Sequence, residues 1–136
     1  MSATRQNERY VADAHALVWY MADDKRLGKK ARTILAQADQ ALILVYVPTI
    51  VLAEVMHLAE RGRVNVAFSD VLTSVRDNPG YLIYPFDEMV LERASEAKGI
   101  PELFDRIIVA TAILTGAIVI TKDEAITAAQ VVETVW

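Results

Sequence analysis

Cysteine is absent from the 136 residues. Disulfides, cysteine-ligated zinc and thiol nucleophiles go with it. The absence suits a reducing compartment, and a cytoplasmic location is the expectation. A surplus of positive charge is also missing: 14 Lys+Arg face 18 Asp+Glu, a formal net charge of -4. A chain without a basic footprint meets nucleic acid only through local basic patches, or with a cation that masks its acids. Long hydrophobic runs are missing too. The longest, RIIVATAILTGAIVIT, is broken by Gly116 and falls short of a membrane span. The opening MSATRQNERY has no apolar core, so neither a secretory leader nor membrane attachment is expected.

What the chain does have is apolar residues, 54% of the total. That is high for a globular domain, and implies a large core or apolar surface reserved for a partner. The length suits a single domain over 1–136. Short apolar runs at 10–12, 41–48, 81–86, 117–121 and 132–136 read as strands. Helical periodicity fills 14–21, 31–38, 49–61 up to a Gly62 stop, 64–75 and 87–98, with an almost wholly apolar helix after Phe104. Asp87 is placed to cap the helix that Gly99 ends. Strands alternate with helices, and several strands are continuously apolar, as when both sheet faces are covered. The expectation is an α/β fold of three layers with a mainly parallel sheet.

Four acids stand where an apolar chain should not carry charge. Asp13 closes the first strand, and Asp123 follows the AIVIT strand. In a parallel sheet, ligands bind beyond the carboxyl ends of strands. Each Asp also suits an ordinary helix cap. Asp105 opens the most apolar helix, where the helix dipole alone would favour an acid, and Arg106 beside it is an available ion-pair partner. Glu54 is the anomaly. Ile50 and Leu58, one turn either side, share its face and are apolar. It is either half of a buried ion pair, with Arg61 the nearest candidate, or a metal or catalytic carboxylate. Four carboxylates drawn together need a counter-charge. An all-oxygen set points to Mg²⁺ or Mn²⁺ rather than zinc. For His15 and His57, surface or packing duty is expected.

These segments, VADAHALVW, VLAEVMHLAERGRV and IPELFDRIIVATAILTGAIVITKDEAI, resemble PIN-domain nucleases, and more narrowly the VapC-type toxins of toxin–antitoxin operons. The resemblance runs over nearly the whole chain and is most specific in the C-terminal third. It implies a PIN-like α/β/α sandwich with a five-stranded sheet in the order 3-2-1-4-5. Residue by residue, Asp13, Glu54, Asp105 and Asp123 match the family's metal-site and catalytic acids. Thr121 matches the hydroxyl residue of the Thr-x-Asp motif, which orders the site. One departure stands out. Many members carry an Asp-Pro ahead of the Asp-Arg pair, where this chain reads PELFDR; Glu102 is the candidate stand-in for that acid.

The implied activity is a metal-dependent endoribonuclease acting as the toxin of a toxin–antitoxin pair. RNA is the expected substrate, a cognate antitoxin the expected partner, and a homodimer the expected assembly. Lys25, Arg26, Lys29, Lys30, Arg32, Arg61 and Arg63 are candidates for holding RNA, or solvated surface. Leu17, Val18, Trp19 and Met21 are the candidate partner surface. Two other readings stay open. One is a PIN-like binding module without catalysis. The other is a phospho-receiver domain, suggested by Asp13 and Lys122 but lacking paired acids at the first strand and an acceptor Asp after the third.

Overall fold

The computed structural model describes residues 8–136. Five strands form one sheet: β1 (Arg9–Ala12), β2 (Leu44–Pro48), β3 (Tyr81–Tyr84), β4 (Ile118–Ile120) and β5 (Thr134–Val135). Their order is β3-β2-β1-β4-β5, and every neighbouring pair is parallel. The helices between them are α1 (Ala14–Met21), α2 (Lys29–Asp39), α3 (Thr49–Glu60), α4 (Phe68–Asp77), α5 (Glu88–Ser95), α6 (Leu103–Thr115) and α7 (Glu124–Ala129). This is the PIN-like α/β arrangement and the strand order that the resemblance implied.

Parallel pairing explains the runs of apolar residues. A parallel strand needs a crossover, and crossover helices cover both faces of the sheet. Val11, Ala12, Val45, Val47, Val119 and Ile120 are fully buried. β1 lies at the centre, with Val11 beside Tyr46 on one side and Val119 on the other. The chain builds outward from β1 through β2 to β3, then returns to add β4 and β5 on the other side. That reversal puts the topological switch point between β1 and β4.

Several boundaries differ from the sequence pattern, each for a local reason. The helix expected from 64 starts at Phe68, because 63–67 is spent turning out of α3 through Gly62, whose φ is 66°. The strand expected over 81–86 stops at Tyr84, since Pro85 offers no N–H to a ladder. β2 starts at Leu44, after a turn in which Ala41 takes a positive φ of 58°.

α1 is buried more deeply than its two aromatics suggested. Leu17 and Val18 are fully enclosed, and Trp19 is 6% exposed. These residues belong to the main core and are not a free docking surface; only Tyr20 and Met21 keep partial exposure. The fold favours this because α1 directly follows the central strand and is packed against α2 and α3.

Gly80 shows how closely the layers approach. A Cβ there would lie 1.8 Å from the carbonyl oxygen of Ala38 at the end of α2. Gly80→Ala should therefore cost about 2–3 kcal/mol, in the range of core overpacking. Gly99→Ala, which meets no atom within 4 Å, should be near neutral. Urea titration of both variants checks the pair, and equal midpoints would remove the argument.

Candidate active site

The acids gather at the carboxyl edge of the sheet, around the switch point. β1 delivers Asp13 and β4 delivers Thr121 and Asp123. α3, following β2, carries Glu54 in its second turn, and α6 carries Asp105 in its first.

Both strand-end aspartates are helix caps as well. Asp13 Oδ1 accepts the Ala16 N–H at 2.8 Å, and Asp123 Oδ1 accepts the Ile126 N–H at 3.0 Å. Capping holds one oxygen of each carboxylate against the backbone of the following helix. Thr121 ties the two together. It is 2% exposed; its Oγ1 accepts the Asp123 N–H at 3.0 Å, and its side chain is hydrogen-bonded to Asp13. One buried hydroxyl thus bridges the acids of neighbouring strands.

The carboxylates feel one another. Burial pushes Glu54 up to about 7, helped by Asp13, Glu102 and Asp105. Burial, then the charges of Asp123, Glu102 and Asp13 and a hydrogen bond to Asp123, raise Asp105 to about 6. Asp13 is raised as well, chiefly by desolvation, with its bonds to Thr121 and Ala16 and the nearby His15 opposing. Asp13, Glu54 and Asp105 are thus each raised in part by other acids of the set. No ion pair forms between Glu54 and Arg61 among the described residues. Arg61 sits exposed at the C-terminal cap of α3. Arg106 does not neutralise Asp105 either: its Nε donates to the Ile100 carbonyl at 2.5 Å.

Glu102 has a definite local duty. It is the N-cap of α6, its Oε1 accepting the Phe104 N–H at 2.8 Å, while its charge is felt by both Glu54 and Asp105. As the side chains stand, no three acids or histidines among the described residues are drawn close enough to enclose a metal ion. The donor chemistry nevertheless suits one: oxygen ligands only, with like charge in excess.

Of the basic candidates, two are committed elsewhere. Arg26 makes a bidentate pair with Asp24, Nε to Oδ1 at 3.0 Å and Nη2 to Oδ2 at 2.8 Å, which holds Asp24 down at about 2. Arg32 binds Asp23 Oδ1 and the Asp24 carbonyl. Lys25, Lys29, Lys30, Arg61 and Arg63 are exposed. Lys122, named above only for a phospho-receiver, stands between Thr121 and Asp123, and its Nζ lies 4.7 Å from the centre of the Trp19 ring.

A family model for the PIN domain matches residues 10–131. The chain belongs to the PIN domain family. No curated protein matches it in sequence, but solved structures do in fold. A VapBC complex from Rickettsia felis, bound to a DNA fragment from its promoter, shares 14% identity over 94% of this chain and 98% of its own, with a TM-score of 0.68. A VapC toxin from Mycobacterium tuberculosis that cleaves the sarcin-ricin loop shares 20% over 93% and 98%, at 0.69. FitAcB from Neisseria gonorrhoeae shares 23% over 92% and 95%, at 0.62. The strand order of this PIN domain separates it from a phospho-receiver, whose order is 2-1-3-4-5. Its first acid after β3, Asp87, caps α5 through the Val90 N–H.

The raised acids set a pH dependence. Unfolded, Glu54 titrates near 4.5; folded, near 7. Between those values the folded chain keeps a proton that the unfolded chain releases, so stability falls as pH rises through that window. Glu54→Gln cannot ionise. In metal-free buffer its melting temperature should gain on the wild type as pH rises, reaching an advantage of about 1 kcal/mol at neutral pH after discounting for solvent screening. Parallel pH profiles for the two proteins would refute the coupling.

Proposed function

We propose that this PIN domain is a metal-dependent endoribonuclease of the VapC type, the toxin of a toxin–antitoxin pair. The observation that carries the reading is the raised pKa of Asp13, Glu54 and Asp105 at the switch point, to which burial and the charges of neighbouring acids, Asp123 among them, contribute, with no basic side chain among the described residues paired to Glu54 or Asp105. A hard divalent cation, Mg²⁺ or Mn²⁺, is the counter-charge such a set takes. These four acids would hold it. When bound, it supplies Lewis acidity toward water and phosphate oxygens.

The chain's own part is orientation. The caps on Asp13 and Asp123 hold one oxygen of each against backbone N–H groups. Thr121 fixes the spacing between the two. A positive charge between Asp105 and Glu54 would favour their ionised forms, which burial and neighbouring acids disfavour. No side-chain nucleophile is required, which suits a chain without cysteine. Water attack in line on a phosphodiester leaves 5′-phosphate and 3′-hydroxyl ends.

An antitoxin partner and a homodimer belong to the same proposal. Both are supported by apolar side chains left on α5 and its flanks: Phe86, Met89 and Leu91, with Leu103 and Phe104 at the start of α6, are all exposed. This region replaces the buried α1 residues as the candidate partner surface. An antitoxin Arg suits the acid pocket, because a guanidinium matches carboxylates in both geometry and charge. We place the activity in the cytoplasm, where RNA is reached; among the described residues no helix is long and apolar enough to cross a membrane.

Mn²⁺ should raise the melting temperature of the wild type, since a ligand that binds only the folded state stabilises it. Asp105→Asn should lose that response while its metal-free form stays at least as stable. Sequencing RNA ends after expression of the wild type and of Asp13→Asn should show new 5′-phosphate ends with the wild type alone. A non-catalytic binding module would give identical ends from both. Co-expression with the neighbouring small open reading frame should yield a soluble complex with suppressed cleavage.

A further inference from the structure

An acidic pocket repels the phosphodiester it is proposed to cut, so the strand needs positive charge alongside. Lys122 carries such a charge on one of the acids' own motifs, and the His15 ring flanks another. Lys122 lies between Thr121 and Asp123, and His15 lies two residues after Asp13. Both are exposed, and neither forms a salt bridge among the described residues.

A lysine beside a carboxylate cluster would ordinarily fold onto it. Trp19 offers a competing seat. Lys122 Nζ lies over the Trp19 ring, 4.7 Å from its centre, within the range where an ammonium is attracted to an aromatic face. The His15 ring, one helical turn earlier on α1, lies 5.1 Å from the same indole. Trp19 is itself immobile: it is almost fully buried, with Trp136 packed edge-on at 5.9 Å. Arg26 also lies over the ring, at 4.5 Å, but Asp24 already satisfies its charge through two hydrogen bonds. Next to Trp19 and Arg26, a cleft of about 230 Å³ continues to Arg63 and Asn65.

We propose that Lys122, seated against the Trp19 indole with the His15 ring beside it, forms a lip that binds the phosphate backbone of RNA where the strand leaves the acid cluster. The lip rests on the ribonuclease reading for the identity of its occupant. It separates the pocket's two tasks. The carboxylates meet one phosphate through a cation, and the lip meets the neighbouring phosphate directly. Backbone contacts of this kind position a strand without reading its bases.

The test uses the whole chain and a fluorescein-labelled oligouridylate of about 12 nucleotides, long enough to cross one domain. Anisotropy in EDTA reads binding without cleavage. Lys122→Gln should weaken binding roughly fivefold to tenfold and reduce the slope of log Kd against log salt by about 0.7, the loss of one phosphate contact on a single strand. Lys122→Arg should restore both. Arg76→Gln, at an exposed basic residue in the last turn of α4, should change neither. Melting temperatures should be unaffected, since Lys122 is exposed. Cleavage of total RNA in Mn²⁺ is measured separately. Unchanged binding and slope in Lys122→Gln, with cleavage by the wild type intact, overturn the lip alone. An equal effect from Arg76→Gln overturns it too, because binding would then be diffuse. If the wild type cleaves nothing while the Lys122 effects hold, the nuclease reading falls and the lip stands as an RNA-binding site.

Discussion

Like charges held at the edge of a water-poor sheet are the constraint around which this structure is arranged. A carboxylate at the end of the central strand is costly unless its oxygens are occupied. Asp13 meets that demand three ways: a backbone N–H at the start of α1, the Thr121 hydroxyl from the neighbouring strand, and the nearby His15. The same economy recurs at Asp123, which caps α7 while facing Asp105. A cap on one oxygen is therefore compatible with the site proposed for these residues.

Parallel topology makes the convergence possible. Every strand in the sheet runs the same way, so every strand-to-helix turn opens at one edge. Residues separated by over a hundred positions in the chain, Asp13 and Asp123, become electrostatic neighbours. The helices contribute as well. Those that follow β2 and β3 begin or pass near the same edge, which brings in Glu54 and Asp105. The N-terminus of α6 favours an acid there, and among the described residues no base pairs with Glu54 or Asp105. Trp19 belongs to this economy from the opposite side. By seating Lys122 on its ring, it gives the lysine an alternative to the carboxylates beside it.

Much of this was legible before any coordinates. Continuous apolar strands between amphipathic helices indicated a covered parallel sheet, because only such a sheet buries both faces. Glu54 was conspicuous because one acid interrupted a helical apolar stripe. Other features were hidden for reasons of distance and direction. Trp19 next to Tyr20 suggested surface, yet the central position of β1 drags α1 into the core and buries the first of the pair. Arg61 was the expected partner of Glu54 on helical spacing alone, but α3 ends at Glu60, and Arg61 sits beyond it in solvent. Arg26 and Arg32 counted as free basic groups in the sequence, and nearby acids in the turn claim both.

The sequence by itself determined the class of fold, the run of elements and the identity of the acids, since periodicity and misplaced charge are local properties of a chain. Tertiary structure alone decided which groups face one another. It set the Thr121 bridge between two strands, the shared elevation of Glu54 and Asp105, and the place of Lys122 over an indole more than a hundred residues away. Such pairings depend on strand order and on the direction of each side chain from its backbone, and neither is written in the spacing of residues along a single strand or helix.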